Sequence, residues 1–168
     1  LSERDEALEH LERACDLDPS YAPFWGTLAL ALAAKGMQER VEEALGKADA
    51  ILGRKDPQMW AQVTMTLVRH GHIKGALTLL EQGPTEQATW EVFAPSMHAL
   101  MEMMRPTPEE AKASGAKEWV ERFEAACERQ ADVLPLEWDF EVLEELIWRL
   151  PKEERPVLEA MMRRMDVG

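Results

Sequence analysis

The segment from Trp25 to Gly36 reads WGTLALALAAKG, and 35 residues further on the segment from Trp60 to Gly71 reads WAQVTMTLVRHG. Each begins with a tryptophan, carries mainly apolar residues three, four and seven positions after it, and ends at a glycine. This spacing places the apolar side chains on one face of an α-helix, and the glycine supplies the left-handed residue that ends it. The sequence therefore predicts two equivalent helices separated by a fixed period.

Helices of a second kind lie before, between and after these two segments. Ala7 and Val41, at similar points of two such helices, are 34 residues apart. The apolar faces comprise Ala7, Leu8, Leu11, Ala14 and Cys15, then Val41, Ala44, Leu45, Ala48 and Leu52, then Ile73, Ala76, Leu77 and Leu80. We expect Ala7, Ala44 and Ala76 to sit where paired helices touch most closely. The alternation of the two kinds predicts a chain of antiparallel helix hairpins.

Residues 5–84 resemble the tetratricopeptide repeat (TPR) family, whose repeats carry Trp, Leu-Gly and Tyr in the first helix and Ala, Phe and Pro in the second. The matches in this sequence include Trp25, Leu28, Leu45, Trp60, Val63, Ala76 and Leu80, and the opening segment around Ala7, Leu11, Ala14 and Pro19 resembles a second helix. Ala29 and Thr64 stand where the family has Gly, and Gly53 to Asp56 lengthen one turn. The resemblance implies a right-handed superhelical array of helix hairpins.

Beyond Pro84 the pattern is less regular. Trp90 repeats the first-helix pattern, but Pro95 falls inside it, and we expect this proline to kink or split the helix. Thr107 to Glu110 reads as a capping box that begins a helix. In all, we expect an all-α fold of about nine helices. We expect it to form a single α-solenoid domain over residues 1–168, with regular repeats over 1–84 and a degenerate repeat and C-terminal capping helices over 85–168.

Composition restricts the classes of partner. Acidic residues outnumber basic ones 32 to 19, and the formal net charge is −13. Such a surface repels phosphate backbones, so we expect no nucleic-acid partner, and a partner with basic flanks fits better. The longest apolar run, Leu28 to Ala34, is too short to span a bilayer. Because no signal segment opens the chain, we expect no membrane association and a cytoplasmic location.

The sequence offers little for catalysis. His70 and His72 flank Gly71 in a turn, and Cys15 and Cys127 lie on apolar faces, where buried, inert thiols are the more common interpretation. No metal-binding or phosphate-binding motif occurs. We therefore expect a protein that is not an enzyme, with no cofactor and no metal. The methionine clusters, at Met101 to Met104 and at Met161 to Met165, are interpreted as core in preference to a binding surface.

The TPR resemblance implies that first helices line a concave groove that holds a peptide or a helix. The groove residues predicted on this basis are Leu30, Gln58, Gln62, Met65, Val68, Arg69 and His98. Met65 is expected to be exposed, whereas Leu30 is equally consistent with packing between repeats. Because the chain has no asparagine and Arg69 is the only cation expected in this groove, a clamp for a chaperone's C-terminal carboxylate is not favoured. An amphipathic helix with basic flanks suits the groove better.

The function predicted from the sequence is a protein–protein interaction module, as a fragment of a longer protein. Two alternatives stay open at this point. The opening helix has no first helix before it, so the chain could assemble with itself through that end as a homo-oligomeric scaffold. It could also be the helical regulatory part of a larger enzyme.

Overall fold

A computed structural model describes residues 2–104, 116–129, 140–150 and 152–165. Within these ranges the protein is all-helical, with nine helices and no strand. The all-α prediction is therefore confirmed, whereas the predicted capping box at residues 107–110 lies outside the described residues. The chain divides into two compact units, Leu1–Pro84 and Thr85–Gly168.

The first unit contains five helices, and most of their ends follow from local sequence. Their bounds are α1 Glu3–Leu17, α2 Ala22–Ala34, α3 Gln38–Leu52, α4 Pro57–Arg69 and α5 Ile73–Gln82. The side chain of Ser2 accepts a hydrogen bond from the backbone N–H of Asp5 at the start of α1, and Asp56 caps α4 through the N–H of Met59.

The turn after α2 and the turn after α4 each contain a glycine in the left-handed region. Gly36 has φ 71° and Gly71 has φ 79°. Most residues with a side chain avoid this conformation, so these two glycines allow each hairpin to reverse direction within a short turn. The two turns are therefore equivalent in backbone geometry as well as in sequence.

Helix α2 is the centre of the first unit. It packs against α1, α3 and α4, and α4 packs in turn against α5. It carries no charged residue and buries Leu28, Ala29, Leu32 and Ala33. At Gly26 the neighbouring α4 comes so close that a Cβ would lie 2.7 Å from Cε of Met59. Small residues in α2 thus permit a close approach between the two first helices.

Polar side chains connect the remaining helices of this unit. Arg40 of α3 pairs with Glu12 of α1, and Gln38 of α3 donates to the backbone oxygen of Gly75 in α5 at 3.4 Å. Ala44 and Ala76 are buried, as predicted, but Ala7 is exposed, so its prediction was wrong.

The second unit contains the other four helices. They are α6 Ala88–Met103, α7 Ala116–Arg129, α8 Phe140–Trp148 and α9 Arg155–Met165, with α6 packed against α7 and α9, and α8 against α9. Pro95 lies inside the continuous α6, so the proline does not split the helix, and the alternative of a kink stays a prediction. Burial of Trp90, Phe93 and Met97 on both sides of the proline outweighs its cost of about 3 kcal/mol.

Three of the clustered methionines of this unit support their interpretation as core, whereas Met104 is half-buried. Met101, Met103 and Met161 are buried, with exposed fractions of 7%, 2% and 3%. A methionine side chain fills irregular space between helices because it is unbranched and flexible. The alternative, a methionine-rich binding surface, is therefore not favoured at these three positions.

Candidate functional site

The apolar part of the predicted groove is interior. Met65 is 3% exposed, Val68 is fully buried, and Ala61 of the same helix is 1% exposed. The prediction that Met65 is exposed was therefore wrong. The physical reason is that α4 has α2 and α5 packed on it, and together they require a wide apolar face. Met65 and Val68 belong to that face.

The polar part of the predicted groove forms a separate, accessible stripe on α4. Gln62 and Arg69 are exposed, and Gln58 and Thr66 are half-buried. These four residues are spaced by four, four and three positions, so they lie on one side of the helix. The structure thus brings together the predicted residues Gln58, Gln62 and Arg69, and it separates them from Met65 and Val68.

An equivalent stripe lies on α2. Pro23 and Thr27 are exposed, and Ala31 and Ala34 are half-buried. Each stands 35 residues before a member of the α4 stripe, so the period that governs the sequence also governs which positions remain accessible. The remaining predicted residue of α2, Leu30, is half-buried beside this stripe.

We call these two stripes together the α2–α4 face. It comprises Pro23, Thr27, Ala31 and Ala34 of α2 and Gln58, Gln62, Thr66 and Arg69 of α4. Sequence reasoning did not single out the α2 members, although their exact 35-residue spacing from the α4 members was a signal that could have identified them.

The two halves of the α2–α4 face differ in chemistry. The hydroxyl of Thr27 donates to the backbone oxygen of Pro23 at 2.9 Å, and the hydroxyl of Thr66 donates to that of Gln62 at 2.8 Å. With its hydroxyl turned to its own helix, Thr27 belongs to a small and largely apolar half on α2. The α4 half presents two amides and one guanidinium. None of the eight residues is acidic, although the chain as a whole is strongly acidic.

The last predicted groove residue, His98, lies in the second unit. Its ring stacks on that of Trp119 in α7, with 3.9 Å between the ring centroids and 8° between the planes. The guanidinium of Arg122 lies over the same indole, 4.5 Å from its centroid. His98 therefore contributes to packing between α6 and α7, and its assignment to a groove stays a prediction.

A cavity of about 500 Å³ lies between the two glycine turns of the first unit. It is lined by Gly36, Gln38, Gly71, His72, Ile73, Lys74, Gly75 and Thr78. The side-chain oxygen of Gln38 is buried there without a hydrogen-bond partner. A Cβ at residue 36 would lie 2.5 Å from Cε1 of His72, so the first turn packs directly on the second. His72, which also lines this cavity, is half-buried.

The titratable groups of the described residues do not form a reactive cluster. Burial raises the pKa of both the Cys15 and the Cys127 thiol, and this disfavours the nucleophilic thiolate. Burial also raises the pKa of Asp49, and a hydrogen bond from Nε1 of Trp60 at 3.0 Å acts in the opposite direction. Among the described residues, no three His, Cys, Asp or Glu side chains are grouped to hold a metal ion.

No described helix combines the length and the apolar character needed to cross a membrane. Comparisons of the chain with protein-family models, with curated proteins and with solved structures gave no match. The class that the structure itself defines is an all-helical protein of two compact units.

Proposed function

We propose that this chain is a non-enzymatic protein-interaction module that holds a peptide or an amphipathic helix of its partner on the α2–α4 face. The observation that carries the proposal is that the same positions of the repeat are solvent-accessible in both helices. Four positions of α2 and the four equivalent positions of α4 remain accessible on helices that pack against each other. Two such stripes side by side make one continuous surface, wide enough for an extended chain or one helix.

A TPR-like arrangement of the first unit is part of this proposal. It is supported by the contact between α2 and α4, by the packing of α3 on α2 and of α5 on α4, and by the equivalent glycine turns. If the hairpins stack with a constant rotation, the unit forms a right-handed superhelix and the α2–α4 face lies on its concave side.

The chemistry of the face suits a partner with an apolar side. Ala31 and Ala34 leave room for a backbone or a large apolar side chain to come close. The amides of Gln58 and Gln62 can both donate to and accept from a peptide. The planar guanidinium of Arg69 can donate two parallel hydrogen bonds to a carboxylate or to carbonyl oxygens, which would fix the orientation of the partner. Basic flanks on the partner would be attracted by the net charge of −13 that the whole chain carries.

A display selection tests the proposal without a known partner. A phage library of random 16-residue peptides is selected on the wild-type chain, and the binders are then measured by fluorescence anisotropy against two variants, Thr27→Arg and Gln62→Arg. We expect each substitution to weaken the selected peptides at least tenfold, because a large charged side chain at either exposed position obstructs the face.

The matched control is Ala50→Arg, which adds the same charge at an exposed position of α3, outside the face. We expect it to change affinity less than twofold. Circular dichroism establishes that all three variants keep the wild-type helix content. Failure to enrich any peptide, or equal binding to all three variants, would contradict the proposal.

A further inference from the structure

We draw no further inference here: the strongest candidate, the cavity between the two glycine turns of the first unit, does not indicate a ligand, because the unpartnered side-chain oxygen of Gln38 is buried against Gly75 and out of reach of a bound molecule, and the N-terminus of α5 that remains is not by itself a binding site.

Discussion

The assignment of Met65 to the interior leads to a sharp prediction for Met65→Glu. The side chain is 3% exposed in a helix packed between two others, so the substitution would place a carboxyl group in an apolar interior. A buried carboxylate avoids its desolvation cost by taking up a proton. Because a glutamate ordinarily titrates near pH 4.3, keeping it neutral at pH 7 costs about 4 kcal/mol.

The lost apolar burial adds to this cost. Removal of a fully buried methionine side chain from the interior costs about 1.5–3 kcal/mol. The expected total of about 5–7 kcal/mol is comparable with the whole stability of a small domain, about 5–15 kcal/mol. Met65→Glu should therefore leave the first unit largely unfolded or bring it close to unfolding at 25 °C.

The assay is urea denaturation followed by tryptophan fluorescence and circular dichroism. The matched control is Gln62→Glu, which adds the same charge to the exposed stripe of the same helix and should change stability by less than about 0.5 kcal/mol. A loss of less than about 1 kcal/mol for Met65→Glu would refute the reasoning. Met65 would then be a surface residue, and the set of residues that defines the α2–α4 face would have to change.

Three further substitutions test the packing of the first unit. Ala76→Leu should lower the free energy of unfolding by about 1–3 kcal/mol in urea titrations, because it overfills a fully buried contact, and an unchanged midpoint would contradict the register of α5. Gly36→Ala should lower the melting temperature more than Gly53→Ala. Both glycines have φ 71°, but only the Cβ at residue 36 would meet a neighbouring ring, that of His72. Equal melting temperatures for the two variants would contradict that contact. Asp49→Asn should be at least as stable as wild type at pH 7, because burial raises the Asp49 pKa and the folded wild type loses stability as pH rises through that raised value. The stability advantage of Asp49→Asn over wild type should vanish at low pH in thermal melts from pH 3 to 7. A wild type whose stability rises relative to that of the variant as pH rises would contradict this prediction.

The helices of the first unit could be predicted from the sequence because their apolar residues recur at helical spacing between glycine and proline stops. Trp60 is 4% exposed, as expected for the tryptophan that begins the repeated helix pattern. The side of α4 that faces solvent was predicted only in part. Gln62 and Arg69 are accessible, but Met65 is not. Which apolar residues of a helix are covered depends on how many neighbours it has, and helical periodicity alone does not contain that information.

The outcomes at Ala7 and Pro95 have the same origin. Ala7 has the residue type of a tight helix contact, but its burial would require a helix beside α1. Pro95 has the residue type of a helix breaker, but large buried side chains on both sides of it keep α6 continuous. In both cases the local signal was read correctly, and the tertiary surroundings decided the outcome.

The central claim, that the α2–α4 face is the binding surface, is tested most directly by NMR. Amide and side-chain shifts of the labelled chain are recorded with and without a saturating amount of a peptide from the display selection. The account predicts the largest changes at Thr27, Ala31, Gln62 and Thr66, with those of the α3 residue Ala50 unchanged. Changes confined to α1 or to the second unit, with α2 and α4 unaffected, would contradict it.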